Sequence, residues 1–596
     1  MAKKFYFTLI LLSVLTLSSS AQFGKLKGLA SGKKDTASQE ESDTTKTIGK
    51  ERVGGSFLNK AIIKLAKASS GLVMSATGQL ITTDDLTALT PLLSSSSNLY
   101  PISLGTADML FFKGWKTGGN LITVFFTQKD KFGMAKIDGS VTIDGEPADY
   151  VSTGVYVSFS EATNKPSKVE VSTKSGQKAS FTISAPKYPV KIVSINGQTG
   201  DNISIDLSKD AVIELDNPSG AESLQLHAKL AINQLGIKSF YDVGYFKGSN
   251  KLIIPAAAFR NLNITPGGKM LYSFKNSYLS IDRVQNEVTT NTSGAFQPID
   301  YYTVAQDGRF LNITKDPELN SGLTAKGSEK FPNGEVDYNF FKPNAFLSRP
   351  FDHIKKLGVM SFSIRGTTYV AGKESKSSSS YSVGNTTYTT TTTTQTWAQF
   401  PSVPTQVWNG ALESLYQDFT NAAQLELGAT VLPVNKVTGT EGYQSISPFS
   451  KDDETTSVSF FHSYKDTKMI SAYIPVSEGY SGNSANSRIM KESGANALMK
   501  FTFDMQIAIE KGKQVMIPKL AFEIVGENNG VFFGTKYCTA TITGKAVGFP
   551  KDNITVSDIE RIIRKSDLLT VFRKGLQEIK AQEKQNGDYK LIWDLQ

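Results

Sequence analysis

Cysteine and histidine are almost missing from this sequence. Cys538 is the one cysteine in 596 residues, so no disulfide can form within the chain and no thiolate metal site can be built. The segment around it, 536–541, alternates like a strand, and Cys538 reads as a small buried hydrophobe. The three histidines, His227, His353 and His462, stand far apart, and none falls in a zinc spacing such as His-Glu-x-x-His. They read as structural or surface groups. No Gly-x-Ser-x-Gly elbow occurs. Thr265-Pro266-Gly267-Gly268-Lys269 lacks the upstream glycine and the Ser or Thr after the lysine that a phosphate loop needs, and reads as a β-turn. Asp452, Asp453 and Glu454 lack the spaced pattern and central glycine of a calcium loop and read as a solvated loop. The expectation is therefore no catalytic residue, no cofactor and no metal. Paired carboxylates for glycan cleavage stay open, because such pairs meet in space and not in sequence.

Long hydrophobic runs are scarce too. The one at the start, Phe5 to Leu17, follows Lys3 and Lys4 and precedes Ser19-Ser20-Ala21. That order is a secretory leader with cleavage after Ala21, and the run is too short for a stable membrane span. No cysteine follows it to take a lipid. The expected location is outside the cytoplasm: periplasmic, outer-membrane-associated or extracellular. An exported chain without disulfides fits a Gram-negative-type envelope. The formal charge of +9 is mild for this length. It favours anionic cell-surface polymers as partners. No basic stretch interleaved with stacking aromatics points to nucleic acid.

What is present is mostly β-pattern. Residues 22–54 are poor in large apolar groups and read as a disordered linker. In 55–99, Phe57, Leu58, Ala61, Ile62, Leu65 and Ala66 share one helical face, which predicts a short helical segment docked on its own domain. From residue 100 to 285 short alternating strands are punctuated by Gly, Asn, Asp and Pro, with Asn196-Gly197 a good turn. This pattern predicts an Ig-like β-sandwich. The polar stretch 286–350 reads as a linker or irregular lobe. From 351 to 550 the pattern changes. A strand (354–364) precedes a helix with Asn409 as its cap, apolar positions Leu412, Leu415, Tyr416, Phe419, Ala422 and Ala423, and Gly428 as its stop. A strand at 429–434 follows, then long strands at 497–509, 516–525 and 531–547, the first two turning at Lys511-Gly512-Lys513. A tail at 551–596 reads as two short helices broken near Ser566, the first with Ser557 and Glu560 in capping-box spacing. The predicted fold class is multidomain and β-rich: an N-terminal sandwich plus a C-terminal α+β domain with helices packed on a mixed sheet.

The pieces KKLGVMSFSI, ALESLYQDFTNAAQLELG, ATVLPV, Tyr443, ALMKFTFDMQIAI and KLAFEIVG follow one another in that order. Their order resembles the envelope domain shared by the curli-secretion lipoprotein CsgG, the amino-terminal domain of TolB and the penicillin-binding-protein activator LpoB. The resemblance covers about a third of the chain and rests on element order. It implies a non-enzymatic role in envelope assembly, export or scaffolding. Two departures stand out: the lipidation cysteine is absent, and a Ser/Thr-rich insert occupies 366–398. In the curli pore, inserted hairpins build a membrane barrel. Here one face of the alternation is mostly Ser and Thr, with only Tyr369, Tyr381, Val383 and Tyr388 as bulky groups, where a lipid-facing strand needs an apolar band, so a solvated β-ribbon is expected.

The remaining candidates are aromatic. Trp115, Trp397 and Trp408 lie near turns or linkers, where indoles stack on sugars or anchor packing between domains. The leading expectation is an exported, non-catalytic envelope protein working through protein contacts, with oligomerisation open. A carbohydrate- or cell-surface-binding protein that uses the sandwich is the first alternative, and a glycan hydrolase the second.

Overall fold

The computed structural model describes residues 80–99, 119–129, 133–152, 154–160, 165–234, 237–264, 272–366, 371–383, 386–398, 400–446, 458, 460–470, 485–526, 536–550 and 552–595. The leader, the linker 22–54, the amphipathic helix, Trp115, the loop beginning at Thr265 and the acidic run 452–454 lie outside the described residues. The chain divides into two compact units, one running to Asn320 and taking back the last two residues, the other spanning Ser321–Asp594.

The first unit is built from three sheets, of eleven, five and three strands. In the largest, strand Asp300–Lys315 lies between Ser273–Val288, antiparallel to it, and Leu89–Leu99, parallel to it. The stretch 286–350 is thus not a linker. Its polar side chains hide a sixteen-residue strand whose backbone is paired on both sides. The described end of 55–99 is likewise strand, not helix: Leu80–Thr83 and Leu89–Leu99. The five-stranded sheet shares a core with the eleven-stranded one, in which Val169, Val171, Phe181 and Ile183 meet Val124, Phe126, Ile137 and Tyr301. Phe296 stacks on Phe126 and meets Phe181 edge-on, closing that core. Two buried charged side chains of the eleven-stranded sheet bond to the three-stranded sheet and its flanks. Arg283, 1% exposed, donates from Nη1 to the Pro189 carbonyl at 2.7 Å and from Nη2 to Asn217. Asp307 accepts from the Ile192 amide at 2.6 Å.

The second unit is a nine-stranded mixed sheet with helices on both faces. Strand Lys356–Gly366 runs parallel to Ala497–Glu510 and to Thr430–Val431, and the other pairings are antiparallel. Ala497–Glu510 and Lys513–Val525 form the expected hairpin. Lys511 and Gly512 both have positive φ, 49° and 74°, the geometry of a tight two-residue turn. One face carries helix Thr405–Leu427 with helices Val556–Ile563 and Lys565–Asn586. Phe572 sits at the centre of that core against Phe340, Phe419, Phe501 and Phe522. The opposite face takes the short helices Val434–Thr438, Glu441–Gln444 and Ala485–Ser493 over Met360, Leu498 and Val525. There the Tyr443 hydroxyl donates to the Met360 carbonyl at 2.8 Å and accepts from the Lys468 amide at 2.6 Å.

Several boundaries differ from the sequence expectation. The long helix begins after Pro404, four residues before Asn409, because proline's fixed φ suits a helix start. Gly428 ends it in the left-handed region at φ 67°. Pro433 cuts the next strand to two residues and starts a helix instead. The capping box is Thr555 with Asp558, not Ser557 with Glu560: each side chain bonds the other's backbone amide. The tail breaks at Arg564, whose φ is 56°, and the helix beyond it is a long one of 22 residues. Buried Arg564 holds that turn through Asp567 at 2.8 Å and the Gly334 and Glu335 carbonyls.

Candidate functional site

The insert 366–398 forms a two-stranded antiparallel ribbon between strand Lys356–Gly366 and the long helix. Ala371–Val383 pairs with Thr386–Ala398 in unbroken register, from Ala371 opposite Ala398 to Val383 opposite Thr386. Thirteen residues at about 3.3 Å each make an arm about 40 Å long. Thr has high strand propensity because its branched side chain suits a pleated surface, which is why a polar run forms so regular a ribbon. Lys376, Ser377, Ser378, Ser379 and Ser380 are all exposed, as are Thr389, Thr391, Thr392 and Thr393. Successive strand residues point to opposite faces, so both faces of the ribbon meet solvent there. No third strand joins it among the described residues.

Trp397 stands on this ribbon, opposite Gly372. Trp408 does not join it as a sugar-stacking ring. It lies in the first turn of the long helix, 3% exposed, stacked on His462 at 4.9 Å and packed against Phe400 and Phe460. Phe400 and Phe460 stack on each other at 5.3 Å. This aromatic cluster belongs to the core under the helix. Burial lowers the pKa of His462.

Other chemically notable clusters went unseen in the sequence because their members come from elements far apart in the chain. Lys342 is fully buried. Its ammonium pairs with Glu583 at 3.0 Å, donates to Ser348 Oγ at 2.8 Å and to the Arg349 carbonyl at 2.7 Å, and lies over the rings of Phe351, Tyr589 and Tyr537 at 4.0, 4.8 and 5.5 Å. Burial pulls the Lys342 pKa down, and Glu583 only partly offsets this. Cys538 lies nearby, its thiol pushed up to about 12 by burial. Arg349 stacks on Trp593 at 3.9 Å, and His353 meets the same indole edge-on.

In the first unit His227 and Lys229 sit two apart on strand Leu226–Gln234. His227 contacts Asp242 at 2.7 Å and stacks on Tyr245 at 4.1 Å. Lys229 reaches Asp282 at 2.5 Å, which also accepts from Gln306 at 2.6 Å. Burial works to raise the Asp242 carboxyl, but His227 and Lys229 outweigh it and hold the carboxyl below its ordinary range. Burial works to lower Lys229, and Asp282 outweighs that. The three histidines thus lie in three separate settings. Among the described residues no group of three or more His, Cys, Asp or Glu side chains is placed to hold a metal ion.

One pair of carboxylates, from two helices, shares a lysine. Asp418 and Glu560 both contact Lys565, at 2.5 and 3.1 Å. The hydrogen bond from Ser414 and the nearby Lys565 keep Glu560 low. A general acid needs the reverse, a carboxyl raised towards neutrality. No family model, no curated protein and no solved structure matches this chain.

Proposed function

We propose that this protein is an exported, non-catalytic envelope protein acting in assembly, export or scaffolding, with the Ser/Thr-rich ribbon as its contact arm. The observation that carries this reading is the ribbon itself. It is an arm of thirteen residue pairs whose described middle, Lys376–Ser380 with Thr389 and Thr391–Thr393, is exposed and so adds little burial there to its own unit. Among the described residues no further strand pairs with its outer edges, and such edges recruit another strand. Export rests on the leader pattern of residues 1–21, and the element order of 351–550 resembles envelope docking domains. The core shared by the five- and eleven-stranded sheets supports a sandwich-like reading of part of the first unit, suited to a spacer or a binding module.

Capture from cell-envelope fractions tests the reading. The full mature chain should retain specific protein partners, and a chain with 371–398 replaced by a short Gly/Ser link should lose them. Turnover of a glycan or peptide by the full chain, with no partner retained, would sink it.

A further inference from the structure

We infer that the ribbon's partner is the ribbon of a second copy of this chain, joined along the Thr386–Ala398 edges about a two-fold axis. This rests on reading the ribbon as a contact arm. The two edges are unlike. Strand Ala371–Val383 carries Lys373, Glu374 and Lys376. Strand Thr386–Ala398 carries no charge, no proline and no break in register. Charges, prolines and bulges are the devices that keep an edge from pairing. One edge has charges and the other has none of these devices.

The bare edge also suits itself. A run of threonines, Thr389–Thr394, opposes no charge of its own kind when two copies meet. Thr–Thr pairs across strands stabilise the joint through their hydroxyls and methyls. An acidic or basic peptide would find no complementary charge on that edge. Antiparallel pairing of two such edges is isologous and closes at a dimer: a four-stranded sheet with the charged Ala371–Val383 strands outermost. The outer edges then carry the guards and stop further growth.

Sedimentation of the purified full-length mature protein, up to about 100 µM, reads the association directly. Three further variants sharpen it. Thr389→Lys/Thr391→Lys/Thr393→Lys places like charges on the joining strand. The dimer should weaken at least about tenfold in dilute salt and recover near 1 M, where charges are screened within about 3 Å. Ser378→Lys/Ser380→Lys, on the outer strand, should dimerise like the parent. Thr391→Cys should cross-link between copies with a short bis-maleimide, because native Cys538 is buried and its thiol stays protonated. A monomer at every concentration, equal effects of the two lysine sets, or no cross-link through position 391 would overturn the inference. Partner capture from envelope fractions that survives such a result leaves the contact-arm reading standing, and its loss removes both.

Discussion

Glu583→Ala should be among the most damaging single changes in the second unit. Glu583 Oε2 is the counter-charge of Lys342 at 3.0 Å, and Oε1 accepts from the Phe351 amide at 2.9 Å. Lys342 is 0% exposed, so its removal leaves an ammonium in the core with rings and neutral acceptors only. Breaking a buried pair in this way costs about 3–5 kcal/mol. For a unit of this size each kcal/mol is worth about 2–4 °C, so the transition should fall by about 6–20 °C. Intrinsic fluorescence follows it well, because Trp397, Trp408 and Trp593, three of the four tryptophans, belong to the second unit. The pair exchanged together, Lys342→Met/Glu583→Leu, should recover most of the loss, because no charge is then left buried. The pH dependence adds a second reading. Lys342 titrates below its ordinary value of 10.5 in the folded chain. Between the two values the unfolded chain holds a proton that the folded chain has released, so stability rises with pH there. The rise should be steeper in Glu583→Ala and absent in Lys342→Met, measured from neutral pH to about 9, before the ordinary lysines release an appreciable share of their protons. A Glu583→Ala variant within about 1 kcal/mol of the parent would refute the reasoning, since that is the worth of an exposed pair.

Three further expectations concern single positions. Gly575→Ala should destabilise the second unit despite alanine's better helix propensity, since an added Cβ would lie 2.0 Å from the Phe340 ring; the propensity gain of about 1 kcal/mol is too small to offset that clash, and an unchanged melting temperature would contradict it. Ser363→Ala should leave stability unchanged or raise it by about 1 kcal/mol, because the buried Ser363 Oγ has no hydrogen-bond partner to lose; a clear loss in chemical denaturation would mean that the hydroxyl is satisfied. Cys538 should react with a thiol reagent only as the second unit unfolds, so its modification rate should rise with denaturant in step with the fluorescence transition.

The second unit was more legible than the first. Its long helix follows an apolar spacing of three and four residues from Leu412 to Ala423, and every one of the named positions is buried. Its hairpin turn was marked by Lys511-Gly512. Hydrophobic alternation also located Ala211–Asp216 and Lys178–Ile183 in the first unit. Alternation failed for Asp300–Lys315, where Gln306, Asp307, Gly308 and Arg309 occupy the middle of a strand. Polar groups there are buried because partners from other strands meet them: Asp282 for Gln306, the Ile192 amide for Asp307. Of the aromatic candidates, Trp408 is a packing anchor, one of the two roles its position allowed, and proximity to a linker in sequence says little about depth in the fold.

Residue order alone determined the local period, two or 3.6, and with it the strands that alternate, the long helix, the tight turns and the polar ribbon. These depend on neighbours a few positions away, whose sterics and side-chain direction are set by the backbone. Only the tertiary structure decided which strands are neighbours. Tyr302–Ala305 pairs with Ser94–Ser97, some two hundred residues upstream, and Lys342 finds its counter-charge at Glu583. Such partners are chosen by burial and by the need to satisfy every buried charge and backbone group, a condition that holds over the whole unit at once and leaves no periodic mark on the chain.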